Sequence, residues 1–305
     1  MKISIVEVGP RDGLQNESKE LSVQDRYKFV HQLASAGLRR IEVGAFVSPK
    51  WVPQMQGSGD LINQIYSSRG HFAKDVRFSA LVPNEKGMEL ALQTPIEEIA
   101  IFGACSESFS KKNINCTIEE SFARFEAVTK IARKKKIRVR GYLSTAFGCP
   151  YEGHVDSSVV AKLTKRMLSL GVYEVSVGDT IGVATPSQVK ETLKKLKRAA
   201  PVKKLAMHFH DTRGTALANV LASLELGVSV FDSSVGGLGG CPYAIGSSGN
   251  LATEDLVYML AGMGHKTGVD LAKLIEIKRE MDALIGRKLP SKVSNAGLPT
   301  GHPVW

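Results

Sequence analysis

Arg11-Asp12 and His208-Phe209-His210 are the residues of this chain best suited to chemistry. On a strand, two histidines separated by one residue point to the same face. An aspartate across from such a pair makes metal binding a better reading than two satisfied core histidines. Asn250 offers a further hard oxygen. No cysteine accompanies the pair, so Mg²⁺ or Mn²⁺ suits the set better than structural zinc. Mixed His/Asp/Asn ligation leaves positions open for substrate oxygens. Arg11 would stabilise negative charge developing on an oxygen, with Glu42 orienting its guanidinium or pairing with it. After Val235 comes a glycine-rich stretch, Gly236-Gly237-Leu238-Gly239-Gly240-Cys241, which reads as a mobile, thiol-bearing lid.

These residues need a frame that brings distant segments to one place. Strand-like and helical patterns alternate along the chain. Strands are predicted at 3–8, 40–46, 76–82, 98–103, 139–145, 173–178, 204–209 and 228–235. Helices are predicted at 24–36, 60–68, 85–92, 118–136, 155–170, 186–199, 216–226 and 253–263. Eight such pairs within a chain of 305 residues predict an α/β fold, a (β/α)₈ TIM barrel. A doubly wound open sheet is the alternative. The domain expectation is one unit over 1–305: a barrel over about 2–265, then a C-terminal helical extension over about 268–305 that begins with a helix at 270–285. In a barrel, Arg11, Asp12, Glu42, Tyr142, Ser176, Asp179, His208 and His210 fall at the C-terminal strand ends, the usual active-site face. Thr185-Pro186 and Thr253-Glu254 read as helix starts, and Glu254 would then lie near the mouth.

Composition limits the alternatives. No apolar run is long enough to span a bilayer. No signal-peptide pattern opens the chain, so a cytoplasmic protein without a membrane partner is expected. Cys105, Cys116, Cys149 and Cys241 form no Cys-x-x-Cys pair, and reduced thiols are expected. The net charge is +10, with basic runs at 133–138, 194–198 and 203–204. They read as solvated helix ends suited to the C-terminal helix dipole. No nucleic-acid motif accompanies them, so no nucleic-acid partner is expected.

Longer motifs point to a family. The run Val8-Gly9-Pro10-Arg11-Asp12-Gly13-Leu14-Gln15-Asn16-Glu17 resembles the opening of the 3-hydroxy-3-methylglutaryl-CoA lyases. So do the runs at 46–55, 111–115, 148–153 and 178–182. The run Gly236 to Ala244 resembles that family's cysteine loop, and Gly249-Asn250 follows at the expected place. The resemblance covers nearly the whole chain. It implies divalent-metal-dependent cleavage of 3-hydroxy-3-methylglutaryl-CoA to acetoacetate and acetyl-CoA, in a homodimer. It implies Asp12, His208, His210 and Asn250 as metal ligands for Mg²⁺ or Mn²⁺. Arg11 would act on the enolate oxygen, supported by Glu42, and Cys241 would sit on the closing loop. Gln15, Tyr142, Ser176 and Asp179 would line the acyl-CoA pocket. Asp179, His208, Glu254 and Cys241 are the candidate proton carriers. Ala45 stands where some members carry a hydroxyl residue, which leaves another 3-hydroxyacyl-CoA as an alternative substrate. Condensing enzymes of the same barrel family, the isopropylmalate and homocitrate synthases, are a further alternative. A noncatalytic CoA-ester or nucleic-acid binding module is the alternative from another class.

Overall fold

In the computed structural model, which describes residues 2–240 and 249–299, eight parallel strands close into a barrel in the order β1 to β8. The strands are β1 (Ser4–Glu7), β2 (Arg40–Ala45), β3 (Arg77–Leu81), β4 (Glu98–Ala104), β5 (Arg138–Ser144), β6 (Glu174–Asp179), β7 (Leu205–Phe209) and β8 (Val230–Ser233). β8 pairs with β1 through Ser4↔Val230 to Glu7↔Ser233, which closes the ring. The strands are buried on both faces because helices cover the outside.

The described helices are α1 (Val23–Ser35), α2 (Ser58–Ser67), α3 (Glu85–Ala91), α4 (Glu107–Ile114), α5 (Ile118–Lys134) and α6 (Ser157–Ser169). They continue as α7 (Pro186–Ala199), α8 (Ala216–Glu225), α9 (Thr253–Gly262), α10 (Leu271–Ile285) and α11 (Lys292–Ala296). Their starts follow local chemistry. Ser22 Oγ accepts the Asp25 N–H at 3.1 Å to open α1, and Thr117 with Glu120 forms a reciprocal capping box for α5. Thr185-Pro186 opens α7 as its residues predict, with Gln188 closing the box.

The predicted barrel and element order stand. The prediction omits α4 and α11. Thr253 does open α9, but its hydroxyl is turned away from the helix N–H groups, donating to Glu7 Oε2 at 2.7 Å. The C-terminal extension packs outside the ring: α10 lies against α1 and α9, and α11 against α9. Asp255 fixes α11 by accepting Ser291 Oγ and the N–H groups of Lys292 and Val293.

Two irregularities sit at the C-terminal end of the barrel. After β1 the chain makes one wide turn, Gly9–Gly13, in which the Gly13 N–H reaches the Val8 carbonyl at 3.1 Å. On β2, register slips between Glu42 and Gly44, leaving one extra residue opposite β3. Turns and bulges of this kind re-aim side chains beside sites. Here they present Arg11, Asp12 and Glu42 to the mouth.

Candidate active site

Asp12, His208 and His210 each bring a ligand atom to one spot, all within 4.8 Å of one another. The histidine Nε2 atoms are 3.1 Å apart. Asn250 completes the group from the segment before α9. Its Nδ2 donates to Asp12 Oδ2 at 2.8 Å and to the Leu238 carbonyl at 3.1 Å. With both amide protons placed, Oδ1 is the atom left over, buried and without a partner among the described residues. His210 Nδ1 is likewise buried and, among the described residues, unpartnered. Buried polar atoms normally find partners. A carboxylate, two imidazoles and a free amide oxygen converging this way fit a divalent cation with room for substrate oxygens.

Electrostatics supports that reading. Burial alone would raise the Asp12 carboxyl, but Arg11, His208 and His210 outweigh it and hold it below the usual range. Burial pushes His210 down to about 3, and neighbouring His208 adds to the effect. It is therefore neutral at physiological pH, as a metal ligand must be. Burial also opposes charge on His208, but Asp232 and Asp12 outweigh it and raise its pKa.

Arg11 lies beside this cluster and is nearly inaccessible. Its Nε donates to Glu42 Oε1 in a very short contact, and Nη1 donates to Asp12 Oδ1 at 2.7 Å. Nη2 makes no hydrogen bond among the described residues. Glu42 is held in turn by a short bond from Tyr142 Oη. The Arg11 guanidinium also lies 5.5 Å from the Tyr142 ring centroid. Gln15 Nε2 donates to Asp12 Oδ1 at 3.2 Å. Arg11, Asp12, Gln15, Glu42, Tyr142, His208, His210 and Asn250 therefore share one site.

Three other expected residues are occupied elsewhere. Ser176, the register partner of Tyr142, donates to Asp232 Oδ2 at 2.6 Å. Asp179 ties the turn after β6, accepting the N–H groups of Val183 and Ala184 at 3.0 Å each. Burial raises its pKa to about 6 even so. Glu254 does not face the mouth. It is fully buried, accepts the Gly236 N–H and a bond from Ser294 Oγ, and is pushed by burial up to about 8. Ala45 is buried, and its N–H is taken by Ser58 Oγ at 3.1 Å.

Cys241 lies outside the described residues. The neck of its loop is described, and it lies against the site. A β-carbon on Gly239 would meet Asn250 Nδ2 at 2.9 Å, and one on Gly249 would meet the Gly239 carbonyl oxygen at 2.2 Å. Both residues have positive φ. Only glycine lets the two ends of the loop touch here, directly over Asp12-Gly13.

Sequence reasoning missed Asp232. It is the register partner of His208 across β7 and β8, and its Oδ2 lies 3.4 Å from His208 Nδ1. Arg140 clamps it through two bonds, at 2.7 and 3.2 Å. Burial opposes its ionisation, yet Arg140 and His208 depress its pKa strongly. A carboxylate behind a ligating imidazole fixes the ring's tautomer and orientation. The available signal was one acid within the apolar β8 run, on the side-chain parity that faces the barrel interior.

Comparison with known proteins identifies a family for the chain. The HMGL-like family model matches residues 2–281. A curated relative from Pongo abelii, named mitochondrial hydroxymethylglutaryl-CoA lyase, is 53% identical over 97% of this chain and 89% of its own length. The hydroxymethylglutaryl-CoA lyase of Pseudomonas mevalonii is 50% identical over 97% of this chain and 96% of its own. Among solved structures, the Pseudomonas aeruginosa hydroxymethylglutaryl-CoA lyase superposes with a TM-score of 0.92 at 47% identity, covering 97% of each chain. An HMG-CoA lyase from Acinetobacter baumannii, solved with coenzyme A and 3-methylmalate, gives 0.92 at 37% identity, covering 99% of this chain and 97% of its own.

Proposed function

The chain belongs to the HMGL-like family and is a lyase, and we propose that it cleaves 3-hydroxy-3-methylglutaryl-CoA to acetoacetate and acetyl-CoA. The observation that carries this reading is the meeting of Asp12, His208 and His210 within 4.8 Å beside an arginine whose Nη2 is uncommitted among the described residues. Asp12, His208, His210 and Asn250 would hold Mg²⁺ or Mn²⁺. The bound cation would acidify the substrate's tertiary hydroxyl and neutralise a carboxylate oxygen.

The reaction moves one proton and breaks one bond. The hydroxyl proton leaves, its oxygen becomes the ketone of acetoacetate, and the bond to the thioester methylene breaks. The bonding pair passes into the thioester, and a proton on that methylene completes acetyl-CoA. The difficult species is the thioester enolate. Arg11 Nη2 is free to donate to its oxygen, while Glu42 and Tyr142 hold the guanidinium plane. A donor fixed before charge develops costs no reorganisation during the step. Gln15 and Tyr142 line the acyl end, with Ser176 acting through Asp232. Asp179 and Glu254 already accept main-chain N–H groups, and a metal-bound His208 with Asp232 at its other nitrogen is a less available base, so Cys241 is the proton carrier this reading favours. Closure of the Cys241 loop would exclude water from the enolate.

Acetoacetate release from purified protein tests the reading. Release from 3-hydroxy-3-methylglutaryl-CoA that stops with excess EDTA is expected. Folded, metal-loaded protein that releases none, while turning over another 3-hydroxyacyl-CoA or an acyl-CoA with a 2-oxo acid, would overturn it. A homodimer belongs to the same proposal, and light scattering should return twice the chain mass of 33.0 kDa. So does a cytoplasmic location; one relative is named cytoplasmic and others mitochondrial. No helix among the described residues is long and apolar enough to cross a membrane.

A further inference from the structure

The closed barrel gathers the basic runs of the sequence onto one face. Each covering helix ends, and each strand begins, at the end of the barrel opposite the metal-ligand cluster. These connections run from the last three residues of a helix to the first residue of the next strand. Together with Lys2 and the 260–266 segment, they contain sixteen lysines and arginines against six carboxylates. The difference equals the net charge of the whole chain, +10, so the remainder of the molecule is balanced. Lys2 and Lys266 lie side by side in a bridge there. The 133–138 and 197–204 runs fall on the same face, and Lys134, Lys135, Lys136, Lys197, Arg198 and Lys203 are exposed.

Helix dipoles favour a cation or two at each C-terminus. They do not account for five in the single connection between α5 and β5. Steering of a CoA ester does not account for them either, because that substrate binds at the other end of the barrel. The face also carries exposed apolar side chains, Leu92 and Met263. The exposed tryptophan and tyrosine side chains among the described residues, Trp51 and Tyr151, lie instead on connections that follow β2 and β5, at the active-site end. Nucleic-acid surfaces combine charge with a groove or with aromatic stacking. A broad end face of mainly flexible lysines, with scattered aliphatic side chains, fits the headgroup plane of an anionic membrane.

We propose that this face docks the protein peripherally onto anionic lipid, with the active-site mouth turned toward solution. The reading does not depend on which acyl-CoA is cleaved.

Co-sedimentation with phosphatidylglycerol/phosphatidylcholine vesicles tests it, using the full chain. Binding is expected at physiological salt, absent on pure phosphatidylcholine and reversed in high salt. The Lys134→Glu/Lys135→Glu/Lys203→Glu variant should weaken partitioning by at least about tenfold. Lys162→Glu/Lys165→Glu/Lys28→Glu makes the same charge change on the exposed barrel flank and should retain most of it. Circular dichroism checks that both variants fold. Three outcomes overturn the proposal: no binding of the parent protein, equal loss in both variants, or binding of a single-stranded RNA oligonucleotide without binding of vesicles.

Discussion

The lower barrel and the barrel mouth handle buried charge in opposite ways. Below, Arg140 meets Asp232 and Glu174. Arg40 meets Glu174 and Tyr173 Oη, and Tyr173 donates to Glu98. Each charged group of that chain has a partner of the right sign, which is how buried ions are tolerated. At the mouth the same packing leaves, among the described residues, Asn250 Oδ1 and His210 Nδ1 buried without partners and Nη2 of Arg11 unbonded. The difference separates scaffold from chemistry. Among the described residues, the lower network is complete, whereas the mouth keeps donors and acceptors left over.

Breaking the mouth should give the largest effect on turnover. Arg11→Gln should lower kcat by about 10³-fold, the scale of losing a fixed oxyanion donor, while far-UV circular dichroism and Mn²⁺ affinity stay near those of the parent. Unchanged kcat would remove the assigned role. His210→Ala should weaken Mn²⁺ binding, measured by calorimetry, by about 100-fold or more, and unchanged affinity would strike it from the ligand set.

Asp232→Asn joins the two regions. It leaves Arg140 short of a counter-ion, so denaturant unfolding should show a loss of about 3–5 kcal/mol. It also frees His208 to rotate, so metal affinity should fall about 10- to 100-fold. A stability loss with unaltered metal affinity would confine Asp232 to the scaffold.

The smallest effect lies in pH dependence. Burial pushes the Glu254 carboxyl up to about 8 in the fold, from an ordinary value of 4.5 in the unfolded chain. Between those values the native state holds a proton that the unfolded chain has lost. Its contribution is full below about pH 4.5 and is lost as pH rises through about 8. Glu7, raised to about 7 by burial, acts in the same direction. Glu254→Gln keeps an acceptor for the Gly236 N–H. It should flatten the fall of Tm between pH 5 and 8 by a few °C, and a slope matching the parent's would contradict the assignment.

The barrel was legible because its evidence is periodic. Repeated apolar strands and amphipathic helices state their faces locally, and strand ends announce the mouth. The His208/His210 spacing and the Arg11-Asp12 pair were legible for the same reason. Asp232 and Arg140 were not, since their partnership spans 92 residues and one acid in an apolar strand has no local signature. Helix α4 was hidden because Glu107–Ile114 has only two buried residues, Phe109 and Ser110, too short a stripe for helical periodicity. Asp179 and Glu254 looked available as carboxylates at loop ends. Their engagement follows from tight turns that bring N–H groups onto them, which spacing does not reveal.

The most direct test is a metal titration of stripped protein with 3-hydroxy-3-methylglutaryl-CoA as substrate. Mn²⁺ binding, followed by electron paramagnetic resonance, should saturate at one ion per chain, with acetoacetate release rising in proportion to occupancy. Full activity in the stripped protein, or saturation of a site that His210→Ala leaves intact, would contradict the account.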